Sequence, residues 1–183
     1  MANKQQKVIG ERIYLRPLTL ADESENYLSW LNTPETNKYL ETRRSTMEEL
    51  REYLTARVDS PNVYFAGVFD TETGQHIGNV KLEPIDWKKK SAVFGILIGN
   101  QAYRGKGIGT EATKLIVKHA FENLGLLEIE LGVIGENLAG CRAYEKAGFR
   151  IKEVRRGAVN HDGVLYDDVV MVCMKASHTP HES

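Results

Sequence analysis

The hydrophobic period of the chain changes on either side of one glycine-rich stretch. Val93 to Ile98 is a short, near-continuous apolar run rich in β-branched and aromatic residues, which predicts a strand. From Glu111 to Leu124, Ala112, Leu115, Ile116, Ala120 and Leu124 recur at helical spacing. The order is therefore strand, glycine-rich turn, helix. Upstream, Ile13 to Leu18 alternates as a strand, and Asp22 to Leu31 reads as a helix stopped by Asn32-Thr33-Pro34. Ser45-Thr46 followed by Glu48 and Glu49 predicts a capped helix over Met47 to Val58, with Leu50, Leu54 and Val58 on its buried side. Tyr64 to Phe69 and His76 to Leu82 form a hairpin about the turn at residues 70–74, and Trp87-Lys88-Lys89-Lys90 is a solvated turn. Downstream come a strand over Glu128 to Ile134 and a helix over Leu138 to Ala147, with Gly148 as its left-handed stop. A last hairpin joins Phe149 to Arg155 and Val164 to Met174. Residues 1 to 10 and the tail from Ala176 are expected to be loosely held. No repeat or linker divides the chain, so residues 1–183 are expected to form one domain.

Composition narrows the class without naming a function. The chain has 183 residues, 42% hydrophobic and 27% charged, with a formal net charge of -1, which gives no basis for a polyanionic partner such as nucleic acid. No apolar run approaches the ~20 residues that span a bilayer, and the polar start predicts no secretion signal. Cys141 falls in a predicted helix and Cys173 in a predicted strand, as free thiols of a cytoplasmic protein would. The five histidines show no metal-ligand spacing, so no metal is expected.

The chemistry starts at Gln101-Ala102-Tyr103-Arg104-Gly105-Lys106-Gly107-Ile108-Gly109-Thr110. Three alternate glycines let the backbone approach a ligand closely, and the helix that follows offers unpaired N–H groups and the positive end of its dipole. That is an anion cradle, and Arg104 and Lys106 beside it suit a diphosphate better than a carboxylate. A dinucleotide fingerprint would need a glycine where Thr110 stands, and an NTPase phosphate loop would need Gly-Lys-Ser/Thr. A flexible turn that is merely glycine-rich is the bland alternative.

The pattern Arg104-x-x-Gly107-x-Gly109 resembles the acyl-CoA pyrophosphate motif of the GNAT superfamily of N-acetyltransferases. Asn137 followed by Tyr144-Glu145-Lys146-Ala147-Gly148-Phe149 resembles that family's second signature. The likeness runs from Ile13-Tyr14-Leu15-Arg16-Pro17 to Met174 and is nearest to the RimJ/RimL-like branch. It implies an α/β (α+β) GNAT fold: a mixed, mostly antiparallel central sheet of six to seven strands, flanked by about four helices and splayed at the acyl-CoA site.

The resemblance also implies site residues. Acetyl-CoA is the expected cosubstrate, held by Ile96, Leu97 and Ile98, by the run Arg104, Gly105, Lys106, Gly107, Ile108, Gly109 and Thr110, and by Asn137 and Tyr144. Tyr144 corresponds to the family's acid for the departing CoA sulfur, with a packed helix aromatic as its bland alternative. The thioester oxygen is expected near the N–H of Leu97 or Ile98. Many relatives carry a glutamate early in the strand before the cradle, where this chain has Phe94. Glu130 is the remaining candidate base, acting through a water, with Asp168 and His161 behind it. Cys141 lacks a histidine partner, so direct attack in a ternary complex is expected rather than an acyl-enzyme. The expected acceptor is a primary amine, on a small molecule or a protein N-terminus, and a homodimer is compatible with the fold. The segment Glu35 to Arg44, expected at the acceptor wall, mixes both charges and lacks the strong acidity that a polyamine would favour. A non-catalytic acyl-CoA sensor is the alternative to an enzyme.

Overall fold

The computed structural model describes residues 6–38, 40, 44–161 and 163–175. Eight strands form one sheet in the order β1-β2-β3-β4-β5-β6-β8-β7. They are β1 (Val8–Ile9), β2 (Ile13–Pro17), β3 (Tyr64–Asp70), β4 (His76–Asp86), β5 (Ser91–Ile98), β6 (Glu128–Ile134), β7 (Arg150–His161) and β8 (Val164–Met174). The helices are α1 (Glu25–Asn32), α2 (Pro34–Asn37), α3 (Met47–Val58), α4 (Ile108–Glu122) and α5 (Leu138–Lys146). All neighbours pair antiparallel except β5 and β6, which α4 connects. A parallel pair needs such a crossover, and here it carries the glycine-rich turn.

Strand alternation divides the core into two layers. Tyr64, Ala66, Val80, Leu82, Phe94, Ile129 and Leu131 point to the face covered by α4, where Ile116, Ala120 and Phe121 pack on them. Phe65 and Phe69 point to the other face, which α1 and α3 cover with Tyr27, Trp30, Leu50 and Leu54. The start of α3 is capped as the sequence predicts, Thr46 and Glu49 making a reciprocal capping box, and at the start of α5 the Asn137 side chain accepts from the Gly140 N–H.

The structure differs from the sequence expectation in countable ways. Among the described residues there are eight strands, one more than the expected upper limit, and five α-helices rather than about four. The added strand, Val8–Ile9, pairs with Leu15 and Tyr14 and is too short to show a period. The added helix is a single turn over Pro34–Asn37, where Pro34 occupies a first-turn position that lacks a donor anyway. Helix α4 begins at Ile108, ahead of the expected Glu111, because Gly107 at φ 79° serves as its N-cap. Strand β7 continues to His161, and an irregular register between Arg155 and Val159 hides its alternation. Residues 1–5, the tail from residue 176, and Glu41 and Arg43 of the expected acceptor wall lie outside the described residues.

One contact fixes α1 against the end of β5. A Cβ built on Gly99 would lie 1.9 Å from the Trp30 ring, which is buried. The glycine at the strand exit is thus the seat of the indole. Gly99→Ala is expected to lower stability by about 1–3 kcal/mol through overpacking, read as a lower midpoint in denaturant unfolding.

Candidate active site

The cradle is built from a turn that only glycine relaxes into. Gly105 and Gly107 have φ of 70° and 79°, and a Cβ on Gly105 would meet nothing within 4 Å. The first intrahelical bond of α4 runs from the Glu111 N–H to the Gly107 carbonyl at 3.0 Å, which leaves the amides of Ile108, Gly109 and Thr110 without a partner among the described residues. Glu111, whose charge would compete with an anion, is turned away. Its carboxylate accepts from the Glu11 and Arg12 amides and from Arg12 Nε at 2.9–3.0 Å, clamping the β1–β2 loop to the helix. Arg12 also donates to the Lys106 carbonyl at 2.7 Å and so braces the turn itself.

Arg104 and Lys106 diverge. Lys106 is exposed beside the turn, as expected. The Arg104 guanidinium instead points inward, donating to the Ile98 carbonyl at 3.0 Å and the Glu35 carbonyl at 2.8 Å, and burial holds its pKa below the usual value. Its contribution is to tie the end of β5 to α2. Cations that the sequence reading missed stand on the other side of the cradle. A cavity of about 510 Å³ beside Gly107 and Thr110 is lined by Arg12, Lys114, Lys118 and Lys146. Lys114 and Lys118 are one helical turn apart on α4, a signal the sequence did hold, whereas Arg12 reaches the cavity only through the fold.

Beyond the cradle the sheet opens. Strands β5 and β6 pair at Ser91, Ala92 and Val93, and no rung follows Val93↔Glu130. The Gly99 N–H bonds the Ile77 carbonyl on β4, so by antiparallel alternation Leu97 exchanges its bonds with β4, while the amides of Ile96 and Ile98 face the gap. Arg104 Nε on the Ile98 carbonyl marks the same edge. Of the two donors expected for a thioester oxygen, Ile98 therefore points into the opening and Leu97 does not; Ile96 joins it.

Tyr144 lies on α5 at the gap, its ring 6.1 Å from both Phe94 and Phe149. Its hydroxyl has no hydrogen-bond partner among the described residues, and burial pushes its pKa up to about 12. Phe94 thus fills the place where an acid was looked for with a ring in an apolar cluster. Asn137 spends its side-chain oxygen on Gly140 and keeps its nitrogen free. Glu130 sits at the last rung before the gap, on the face opposite Tyr144, and accepts from Lys152 Nζ at 2.6 Å. Asp168 faces Arg155 at 3.7 Å and His161 packs edge-on against Tyr166 near the tip of the last hairpin, so neither joins the group at the gap. Burial raises the Cys141 pKa, which keeps it a thiol. On the α1/α3 face, a cavity of about 700 Å³ opens against Gly95, Ile96 and Leu97 and is walled by Tyr53, Arg57, Asn79 and Lys81.

Comparison with known proteins decides the family. A profile described as Acetyltransferase (GNAT) domain matches residues 12–150. The chain belongs to the GNAT acetyltransferases. It is 32% identical over 177 residues to the probable N-acetyltransferase YjcK of Bacillus subtilis (strain 168), covering 90% of this chain and 95% of that protein. It is 31% identical over 104 residues to the spermidine N(1)-acetyltransferase of Escherichia coli (strain K12), covering 55% of this chain and 53% of that one. Among solved structures, the spermidine N-acetyltransferase from Vibrio cholerae in complex with CoA and spermine superposes with a TM-score of 0.84 at 24% identity, over 92% of this chain and 98% of that one. The GNAT-family acetyltransferase from Bacillus anthracis gives 0.82 at 18% identity, over 93% and 99%. At these identities the two structures establish the GNAT fold.

This GNAT protein is an N-acetyltransferase that uses acetyl-CoA and delivers the acetyl group to an amine. The unpartnered amides of the cradle and the basic cavity beside it suit an anionic cosubstrate bearing several phosphates. No helix among the described residues is long and apolar enough to cross a membrane, and no cluster of three or more metal-ligating side chains occurs among them. The buried phenol yields a direct check. Ultraviolet difference titration of the protein against its Tyr144→Phe variant is expected to show no ionisation of this tyrosine below about pH 11.

Proposed function

We propose that the enzyme works by direct attack in a ternary complex, with the amine entering from the α1/α3 face and acetyl-CoA lying in the gap between β5 and β6. The observation that carries this reading is the opening after Val93↔Glu130, which exposes ladder amides between a phosphate cradle and a free phenol. The amides of Ile108, Gly109 and Thr110 hold the diphosphate, and Arg12, Lys114, Lys118 and Lys146 supply positive charge for the remaining phosphate. The free nitrogen of Asn137 donates to the pantetheine arm. The Ile96 and Ile98 amides polarise the thioester carbonyl, each aligned donor contributing on the order of 3 kcal/mol to the developing oxyanion.

The amine nitrogen forms a bond to the carbonyl carbon, the C–S bond breaks, and the proton lost by the amine balances the charge of the departing thiolate. Tyr144 holds its proton firmly at neutral pH and is the donor facing the sulfur. Glu130 is the candidate to accept the amine's proton through a water, but Lys152 already holds its carboxylate. An amine near pKa 8 to 10 loses its proton to water at about 1.4 kcal/mol per unit above ambient pH. Water therefore suffices as the base. We place the enzyme in the RimJ/RimL-like branch, acting in the cytoplasm.

Two variants test the arrangement by CoA-thiol release. Tyr144→Phe is expected to lower kcat about 100-fold or more while KM for acetyl-CoA changes by less than about threefold; an unchanged kcat would remove Tyr144 from the mechanism. Gly109→Asp places a carboxylate in the first turn of α4, where the helix dipole favours it by about 0.3–1 kcal/mol. Its melting temperature is expected to hold or rise while CoA affinity falls at least about thirtyfold. Undiminished CoA binding would relocate the diphosphate.

A further inference from the structure

The cavity of about 700 Å³ against Gly95 to Leu97 has a wall whose charges do not cancel. Glu83 accepts from Arg57 Nε at 2.8 Å and from Lys81 Nζ at 3.2 Å, so two cations share one carboxylate. Lys81 also donates to the Tyr53 hydroxyl at 3.3 Å, and the Arg57 guanidinium lies 3.6 Å from the centre of the Tyr53 ring. Arg57 Nη1 bonds the Tyr53 carbonyl at 3.2 Å, which leaves Nη2 without a partner among the described residues. Burial lowers the Lys81 pKa, but the contacts with Tyr53 and Glu83 outweigh it and raise the pKa, so the ammonium persists at neutral pH.

Two further donors converge on this wall. The side-chain nitrogen of Asn79, a residue only 4% exposed, has no partner among the described residues, while its oxygen meets His76 Nε2 at 2.8 Å. The Tyr53 hydroxyl accepts from Lys81 and keeps its own proton to give. The other charged side chains lining the cavity are Arg44, at its mouth, and Glu49, whose carboxylate accepts from the Thr46 amide in the capping box. Among the described residues the cavity therefore offers donors and an excess of positive charge.

Resting on the N-acetyltransferase reading above, we infer that Lys81, Arg57, Tyr53 and Asn79 bind a carboxylate carried by the acceptor, so that the substrate is an amino-acid-like or peptidic amine rather than a polyamine. A polyamine would bring a second ammonium against this wall, at a cost in like-charge repulsion. A diphosphate-linked aminosugar would bring more negative charge than two cations already sharing Glu83 can match. In register, Lys81 stands opposite Gly95 and Asn79 opposite Leu97. The site thus runs from Asn79 at the Leu97 level to Lys81 about 7 Å further along the strands, and its cationic end fits a carboxylate several bonds from the amine. Gly95 makes room for it: a Cβ there would lie 3.2 Å from Lys81 Cε and 3.3 Å from Cγ, so the lysine stem crosses the sheet over the missing side chain.

The test uses the full chain with acetyl-CoA and four acceptors: a C-terminally amidated alanyl-glutamate dipeptide, its alanyl-glutamine counterpart, spermidine, and a nucleoside-diphosphate aminosugar. The expected result is a kcat/KM for the glutamate dipeptide at least tenfold above each of the others. That ratio is expected to fall to within threefold in Arg57→Gln and in Lys81→Met, and to drop partially in Gly95→Ala, which displaces Lys81 without removing its charge. Because each ratio is internal to one variant, general damage cancels. Equal rates for the glutamate and glutamine dipeptides, or preference for spermidine or the aminosugar, would overturn the inference and leave the N-acetyltransferase reading intact. In parallel, the N-acetylated glutamate dipeptide is added to the CoA-bound protein and the melting temperature followed. A rise that is lost in Lys81→Met, in the absence of any turnover, would keep the carboxylate site and defeat the catalytic reading; no rise together with no turnover would defeat the inference as well.

Discussion

The opening in the middle of the sheet exists because two parallel strands stop pairing. Strand β6 is held to β8 by seven residue pairs from Glu128↔Met174 to Ile134↔Asp168, and β5 is held to β4 up to Gly78↔Ile98. Each strand is thus committed to its antiparallel neighbour, and the three parallel rungs between them cannot draw the rest of the ladder shut. The twist of the sheet accumulates at its weakest seam. Backbone amides left without ladder partners are costly when buried, so the gap is a place where a polar ligand is favoured over closure. Trp30 seated on Gly99 and the paired Gly99 and Asn100 amides on the Ile77 carbonyl keep the exit of β5 aligned with β4 and hold the opening in one geometry.

The same economy governs charge around the cradle. A glycine turn feeding a helix offers amides, but it also brings Arg104 and Glu111 close to them. The fold uses Arg104 as an internal strut and Glu111 as a clamp on the β1–β2 loop, so neither side chain competes with or substitutes for the backbone donors. The net field at the cradle comes from the helix terminus and from the cations around the adjacent cavity, of which Arg12 is drawn there by its ion pair with Glu111. A carboxylate in the first turn of the helix thereby recruits an arginine to the basic cavity beside the cradle.

What the sequence could show depended on whether partners share an element. The glycine turn and the helix that Asn137 starts each lie within one stretch of chain, so both were legible as structure, while the roles of Asn137 and Tyr144 came from the resemblance alone. The sheet was legible wherever a strand was long enough to alternate; Val8–Ile9 was not, and neither was the far half of β7 with its irregular register. Arg104 was misplaced as a free cation because its partners, the carbonyls of Ile98 and Glu35, are backbone atoms without a sequence signature. The cavity beside β5 draws on α3 and β4 as well as on Leu40 and Arg44: Arg57, Asn79 and Lys81 meet only once β4 packs beneath α3. The choice between Leu97 and Ile98 required strand phase, which a single hydrogen bond at Gly99 fixes and composition cannot.

Phase and charge together account for the absent acid. Phe94 lies on the α4/α5 face, packed edge-on against Tyr144, where an ionised carboxylate would be buried among rings without a partner. A phenol in that surrounding is held neutral, and a neutral donor is what a departing thiolate requires. On the opposite face Lys81 and Arg57 share the Glu83 carboxylate, and the one positive charge left over is what the acceptor carboxylate inferred above would meet. In the mechanism proposed above, the face that carries Tyr144 keeps a proton on the acid while the opposite face receives the acceptor. In that mechanism water takes the amine's proton, consistent with Glu130 being paired with Lys152 rather than left free at the mouth of the gap.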